Sequence, residues 1–132
     1  MRPDLPKLFR LAAWACVVLL GVLSWLPGEE MIRTGINTRI EHVIAYMGTM
    51  FLVGAAYGLR LGLSRLVAML ITYAGVLEIG QNFSPGRHPS VFDFAASSSG
   101  VIAGAVAFQI AYGALRDTPI GREVRRANQP SR

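Results

Sequence analysis

The sequence predicts an all-α membrane protein with four transmembrane helices in an antiparallel bundle. Hydrophobic residues make up 52% of the chain and charged residues 16%, whereas soluble proteins carry about 25% charged residues. The mean hydropathy is +0.41. The apolar residues also occur in continuous blocks, close to the roughly 20 residues that a membrane span requires, rather than at amphipathic spacing.

Four such blocks define the domain organisation. The predicted spans run from about 8 to 26, 42 to 59, 66 to 80 and 94 to 115. The links between them are short, which favours antiparallel packing of neighbouring helices. We therefore assign 1–115 to one four-helix transmembrane domain and 116–132 to a basic, disordered cytoplasmic tail. Cys16 is a lone cysteine within the first span and supports neither an intramolecular disulfide nor a metal cluster.

The first apolar block follows Arg2, Lys7 and Arg10, as the core of a signal peptide would. A signal peptide ends in a small-x-small cleavage site, whereas this block ends in SWLPGEE. We therefore expect an uncleaved first helix.

The basic residues divide unequally between the two sides of such a bundle. Ten lie before span one, between spans two and three, or after span four. Only Arg33, Arg39 and Arg87 lie in the other loops, which accounts for all 13 lysines and arginines. Positive charge stays on the cytoplasmic side, so both termini are predicted to be cytoplasmic. The basic charge then reflects topology and attraction to anionic lipid, and no nucleic-acid partner is expected.

Polar side chains cluster at the predicted outer ends of three spans. Each pair is spaced three or four residues apart, which places its members on one helix face. Contact with lipid would cost each polar group several kcal/mol, so we expect the three faces to turn toward one another. The pairs are His42 and Tyr46 in span two, Glu78 and Gln81 in span three, and Asp93 and Ser97 in span four, with Arg87 and His88 in the loop before span four.

Small residues spaced four apart favour close approach of membrane helices. Gly54 and Gly58 form one such stripe in span two, and Gly100 and Gly104 form another in span four. Gly75 lies one turn before Glu78 in span three. The stripes predict a tight bundle and also offer a surface for a homo-oligomer.

The order and spacing of these residues resemble the VanZ-like family of small four-helix membrane proteins. The resemblance covers about residues 39–104. It rests on Arg39, His42, Tyr46, Glu78, Gln81, Gly86, Arg87, Asp93 and Gly100. Ser97 stands where the family has asparagine, and Arg39 stands where lysine is more usual. The resemblance implies the four-helix fold, a bacterial inner-membrane location with the site facing outward, and a role in susceptibility to lipoglycopeptides such as teicoplanin.

The cluster and its location give a first hypothesis, that the protein binds or modifies an outer-leaflet lipid or a lipid-linked envelope component. Arg87, with Arg39, would hold an anionic group, which a guanidinium can bind in a bidentate manner. Glu78 and His42 are candidate proton-transfer residues, and Asp93 would orient His42 or Arg87. The further candidate substrate-binding residues are Gln81, Tyr46 and Ser97.

Other functions use the same residues. Glu78, Arg87 and Asp93 could pair as a structural network, in a non-enzymatic factor that shields a target or scaffolds an envelope enzyme. Metal-ligand residue types are present, but Arg87 opposes a cation and no metal-binding spacing occurs, so no metal or other cofactor is predicted. The run 97–99 offers a serine nucleophile, although only one of the three serines can face the site. A transporter is disfavoured because the polar residues lie at one end only.

Overall fold

The computed structural model describes residues 5–26, 35 and 37–129, and the fold in these ranges is helical. The helices are α1 (Leu5–Trp25), α2 (Thr38–Leu61), α3 (Leu63–Gly80), α4 (Val91–Leu115) and α5 (Pro119–Ala127), with a short 3₁₀ helix at Gln81–Phe83. The first four helices are long and apolar enough to cross a membrane. The predicted all-α class with four candidate spans is therefore confirmed.

The helices begin earlier than the apolar blocks that predicted them, and polar capping residues account for this at α2 and α4. The Asn37 side chain accepts a hydrogen bond from the N–H of Arg39 at 3.0 Å and starts α2. The Ser90 hydroxyl accepts one from the N–H of Asp93 at 3.4 Å and starts α4. Side chains of this kind satisfy the free N–H groups of a first turn, which apolar periodicity does not report.

A single residue, Gly62, joins α2 to α3. Its φ of +85° lies in the left-handed region, where a residue with a Cβ is strained. Its N–H donates to the Gly58 carbonyl oxygen at 3.2 Å and closes the last turn of α2. The sequence LGL therefore ends one span and starts the next without a loop.

The glycine stripe of α4 lies against the backbone of α2. A Cβ on Gly100 would lie 2.5 Å from the Val43 carbonyl oxygen, and a Cβ on Gly104 would collide with the Met47 carbonyl oxygen. Only glycine allows the two helices to approach this closely. This contact aligns the first halves of α2 and α4, which carry several of the predicted site residues.

The glycine stripe of α2 has a different neighbour, the aromatic ring of Phe108. A Cβ on Gly54 would lie 2.9 Å from this ring, and a Cβ on Gly58 would lie 3.0 Å from it. Both stripes are buried within one chain. A homo-oligomer held by these stripes would have to replace the contacts described here.

Among the described helices, α1 carries the most exposed large apolar side chains. Of its residues, Ala13 alone is buried. Its exposed large apolar side chains are Leu8, Leu11, Trp14, Val18, Leu19, Val22, Leu23 and Trp25. Soluble proteins rarely expose a continuous apolar surface of this size, whereas a lipid environment would cover it.

The segment 116–132, which we expected to be disordered, contains α5, so that expectation is wrong for residues 119–127. Pro119 occupies the first turn, and the Thr118 hydroxyl accepts a hydrogen bond from the Gly121 N–H at 3.3 Å. Both are helix-start signals. Val124 packs against Ala55 in the second half of α2. The many charged residues of the segment obscured this short apolar contact.

Asn128, directly after α5, is buried against α2. Its Oδ1 accepts hydrogen bonds from the N–H groups of Leu59 at 2.9 Å and Arg60 at 3.2 Å. Its Nδ2 donates to the carbonyl oxygens of Ala55 and Val124, both at 2.9 Å. The two donors of the amide are thus used, and its oxygen accepts twice.

Candidate functional site

A cavity of about 130 Å³ lies where α1 and α3 end and α2 begins. Five of the eight predicted site residues line it: His42, Tyr46, Glu78, Gln81 and Arg87. The other three, Arg39, Asp93 and Ser97, do not line it. Three further polar residues of the wall, Ser24, Thr38 and Glu41, were not predicted. The structure therefore brings together residues that are up to 63 positions apart in the chain (Ser24 to Arg87).

Glu78 is buried in the last turns of α3. Its Oε1 accepts a hydrogen bond from the Ser90 N–H at 2.6 Å. Because Ser90 caps α4, this short charge-assisted bond joins the end of α3 to the start of α4.

Arg87 caps the end of α1. Its Nη2 donates to the carbonyl oxygens of Leu23 and Ser24, each at 3.2 Å. The last carbonyl groups of a helix have no partner within the helix and carry a partial negative charge, so a guanidinium is a favourable cap. The Nε of Arg87 is buried without a hydrogen-bond partner. The positive charge of this side chain is thus held at the cavity by backbone carbonyls.

Two further bonds attach the segment after α3 to α1. Gln81 Nε2 donates to the Ser24 hydroxyl at 3.1 Å, and the Ser84 hydroxyl donates to the Trp25 carbonyl oxygen at 3.1 Å. Gly86 has a φ of +73°, which favours glycine in the turn just before Arg87. The loop is therefore fixed against α1, and its arginine cannot leave the cavity without breaking this attachment.

His42 is held by two neighbours. Its Nδ1 lies 3.0 Å from the Ser97 hydroxyl oxygen, and its ring stacks on Tyr46 with centroids 6.4 Å apart and planes 7° apart. The Ser97 hydroxyl thus forms one hydrogen bond with the histidine ring. The contact connects α2 to α4 and fixes the direction of the imidazole ring.

The pairing of Ser97 with His42 has the form of a nucleophile and its base, but its position argues against that use. The Ser97 residue is only 2% exposed and does not line the cavity. A nucleophile must reach a substrate atom, and this hydroxyl is enclosed by the α2–α4 contact. Ser97 is therefore a positioning residue for His42 in this structure.

Asp93 pairs with Arg39 rather than with a cavity residue. The Arg39 Nε and the Asp93 Oδ1 are 3.8 Å apart, and the two side chains are 57% and 24% exposed. The Arg39 guanidinium also lies 4.9 Å from the ring centroid of Phe92. We had expected Asp93 to orient His42 or Arg87, and this expectation is wrong. The first turn of α4 directs the Asp93 side chain toward Arg39 at the start of α2. Arg39 is likewise not a second cation in the cavity wall.

The alternative network, in which Glu78, Arg87 and Asp93 pair with one another, is also not formed. Within the described part of the chain, each of the three has its own partner, and none pairs with another of the three. The physical reason is that backbone groups are closer. Glu78 meets a helix start and Arg87 meets a helix end, where unpaired N–H and carbonyl groups compete well for a charged side chain.

The cavity residues also retain polar atoms that have no protein partner among residues 5–26, 35 and 37–129. These atoms are the His42 Nε2, the Glu78 Oε2 and the Gln81 Oε1. The Nε of Arg87, which is buried without a hydrogen-bond partner, adds a donor to the same wall. The wall is therefore able to accept and donate hydrogen bonds to a small polar group.

The described residues contain no group of three His, Cys, Asp or Glu side chains placed to hold a metal ion. His88, one of the ligand types noted in the sequence, is exposed and does not line the cavity. The cavity wall instead combines carboxylate, guanidinium, imidazole, amide and phenol groups.

Two serines that complete the site were missed. Ser90 could have been found, because a serine three residues before an acidic residue is a helix-start signature. Ser24 carries no such signal, since its role depends on Gln81, which is 57 positions away.

Comparisons of the chain with family models, with curated protein sequences and with solved structures gave no match. The likeness to the VanZ-like family therefore rests on the residue pattern alone.

Proposed function

We propose that the chain is an integral membrane protein of the bacterial inner membrane that binds a small polar headgroup in its cavity. One observation carries the proposal: the cavity lies at one end of four candidate spans, and its polar residues keep hydrogen-bonding atoms that no other described residue uses. A volume of about 130 Å³ is below the roughly 300–1,000 Å³ of pockets for drug-sized ligands. It suits a lipid headgroup better than a lipid-linked oligosaccharide.

The proposal includes an antiparallel bundle with both termini in the cytoplasm and the cavity facing outward. The bonds from Tyr73 to Val17 and from Gln81 to Ser24 follow the same order along α1 and α3, which supports a parallel orientation of these two helices. The glycine contacts of α4 with successive turns of α2 likewise support a parallel orientation of α2 and α4. The division of basic residues supports the orientation. Of the residues in that division, Arg2, Arg33 and Arg132 lie outside the described ranges.

The chemistry of the wall defines the headgroup. The Arg87 guanidinium would bind an anionic group such as a phosphate. The free oxygen of Glu78 would accept a hydrogen bond from an amine or hydroxyl group. His42, held through Nδ1 by Ser97, would present Nε2 for proton transfer if a bond in the headgroup is broken. The headgroup therefore combines a phosphate with a hydrogen-bond donor.

This ligand class is consistent with what the VanZ-like resemblance implies, an envelope lipid or lipid-linked component. A change in the outer-leaflet lipids would alter the surface at which lipoglycopeptides act, so altered susceptibility is part of the proposal.

A non-enzymatic role is the second candidate function. Glu78, Gln81 and Arg87 each hold the scaffold through one hydrogen bond or more. Under this reading the same cavity binds a headgroup, shields it or presents it to an envelope enzyme, and no bond changes.

The two candidates are separated by a headgroup-resolved profile of lipids and lipid-linked precursors, in cells and in the purified protein. The cells express the wild type, Glu78→Gln, Arg39→Gln or an empty vector, at matched membrane levels. Glu78→Gln keeps an oxygen for the Ser90 N–H but removes the ionisable group. Arg39→Gln is the matched control, because Arg39 lies at the same end outside the cavity.

An enzyme changes one lipid species in cells with the wild type and Arg39→Gln but not with Glu78→Gln. A binder leaves the cellular profile unchanged, and one lipid class copurifies with the wild type. If no lipid class copurifies selectively and no profile changes, the headgroup proposal is wrong and the polar residues serve the scaffold.

A further inference from the structure

A second cavity lies between α1, α2 and α3, within the candidate spans. Its volume is about 420 Å³, and apolar and aromatic side chains form its wall. The polar tips in this wall are engaged. Trp14 Nε1 donates to the Tyr57 hydroxyl at 3.1 Å, and the Tyr73 hydroxyl donates to the Val17 carbonyl oxygen at 2.9 Å. We call this cavity the apolar groove; its size is in the range of ligand pockets, and its surface is hydrocarbon.

The apolar groove and the polar cavity follow one another along the same two helices. On α1, Val17 lines the groove and Leu20 lines the cavity. On α3, Leu70 lines the groove and Ala74 lines the cavity. Residues three or four apart share a helix face, so the two volumes are stacked along one seam, with Leu70 and Ala74 about 6 Å apart along the axis of α3.

Tyr73 marks the boundary between the two volumes. Its side chain crosses from α3 to α1, where its hydroxyl meets the Val17 carbonyl oxygen. A Cβ on Gly21 would lie 2.6 Å from the Tyr73 hydroxyl oxygen, so glycine at this position makes room for the crossing. The hydroxyl therefore lies at the level where the polar and apolar parts of a bound amphiphile would meet.

We infer that the ligand is a membrane phospholipid held at two points, with its headgroup in the polar cavity and one of its hydrocarbon chains in the apolar groove. This inference rests on the proposed function and deepens it. A free headgroup would use only the polar cavity, whereas a phospholipid uses both volumes and explains why they share one seam. The hydrocarbon chain in the groove thereby differs from the surrounding lipid, which contacts every exposed apolar side chain equally.

The test uses a phosphatidylethanolamine probe that carries a photoactivatable diazirine in the middle of one acyl chain. The full chain is reconstituted in vesicles of phosphatidylethanolamine and phosphatidylglycerol, irradiated, and digested for mapping of the adducts by mass spectrometry. Met69 lines the groove and is 65% exposed, and Ile110 lies outside it and is 68% exposed. This pair compares groove and bulk lipid at equal exposure.

Two further variants connect the groove to the headgroup. Arg87→Gln keeps one donor for the α1 carbonyls but removes the charge that would hold the phosphate. It should lower labelling of the buried Leu70 about tenfold, the effect of losing one charge-assisted hydrogen bond, reduce labelling of Met69 to the level of Ile110, and leave Ile110 unchanged. Val53→Trp fills the groove and should abolish labelling of the groove residues. Ile110→Trp is its matched control. Met69→Trp is a second variant that fills the groove, and its effect is measured as labelling of the buried Leu70.

The expected result is labelling of Met69 and of the buried Leu70 above that of Ile110, with loss in Arg87→Gln. Equal labelling of Met69 and Ile110, with none at Leu70, overturns the inference while a lipid that copurifies would still support headgroup binding. Groove labelling that does not change in Arg87→Gln also overturns it, because the chain would then bind independently of the headgroup. If no lipid copurifies and the groove is unlabelled, both proposals are wrong.

Discussion

Buried polar groups occur in two regions of this molecule, and the two regions differ in how completely these groups are hydrogen-bonded. Near the end of α2, both polar atoms of the Asn128 side chain are used by the backbone of α2 or α5. In the polar cavity, His42, Glu78 and Gln81 each bind the scaffold through one atom and have another atom with no partner in the described part of the chain. A fully satisfied amide specifies one arrangement of helices, whereas a half-satisfied wall is able to receive a ligand.

The difference also explains which residues should tolerate change. Removing a donor or acceptor in the saturated region leaves a buried partner unsatisfied and therefore lowers stability. A conservative change in the cavity keeps the scaffold bond and alters the free atom, so it should affect ligand binding more than stability.

The largest effect is expected for Asn128→Asp. The carboxylate has no hydrogens to donate to Ala55 and Val124, so it places negative charge against two carbonyl oxygens in a buried site. We expect a loss of about 3 kcal/mol or more in the free energy of unfolding, measured by SDS titration in mixed micelles. Asn128→Ala should cost less, because α2 can reform its own bond between Ala55 and Leu59. An Asp variant as stable as the wild type would show that this amide is not a structural clasp.

The next effect tests the α2–α4 contact that supports both regions. Gly104→Ala would place a Cβ against the Met47 carbonyl oxygen and force the helices apart, at a cost of about 1–3 kcal/mol in the same titration. Gly113→Ala is the control, because no neighbouring atom lies within 4 Å of its added Cβ. It should be neutral or stabilise the helix by about 0.5–1 kcal/mol. Equal costs for the two variants would contradict the close approach.

A smaller effect on stability, with a clear effect on binding, is expected for Ser97→Ala. It removes one hydrogen bond to the His42 ring, worth about 1 kcal/mol, and frees the ring to rotate. Copurified lipid should fall several-fold while the protein remains folded. Ser99→Ala is the comparison, since the exposed Ser99 hydroxyl donates only to the Ala96 carbonyl oxygen and lies outside the cavity. If Ser97→Ala retains its lipid, the histidine is not held in place for binding.

The smallest effect is expected for Arg39→Gln. The Arg39–Asp93 pair is long at 3.8 Å and largely open to solvent, so its loss should cost under about 1 kcal/mol. Lipid binding should be unchanged, because neither residue lines the cavity. A marked loss of bound lipid in this variant would place the pair in the site after all.

Much of the bundle could be predicted from sequence. The blocks of apolar residues located α1 to α4, and the glycine spacing in α4 indicated where helices approach closely. The spacing of Glu78 with Gln81 and of His42 with Tyr46 correctly placed these four residues on one cavity. These features depend on residues three or four apart, which a sequence displays directly.

The partners of the charged residues could not be predicted in the same way. Asp93 was assigned to the cavity because it shares a helix face with Ser97, yet its side chain meets Arg39. In the alternative structural network Arg87 would pair with a carboxylate, yet it binds the last carbonyl groups of α1. The competing backbone groups exist only once the helix ends have been brought together.

The sequence by itself determined that the chain forms four long apolar helices and that its polar residues collect near one end of them, because helix formation and hydrophobicity are local properties. Tertiary structure decided which polar atoms are used by the scaffold and which stay free, that α5 and Asn128 lie against α2, and that an apolar groove continues the polar cavity. These outcomes depend on contacts between residues that are distant in the chain, where a difference of a few ångströms selects the hydrogen-bond partner.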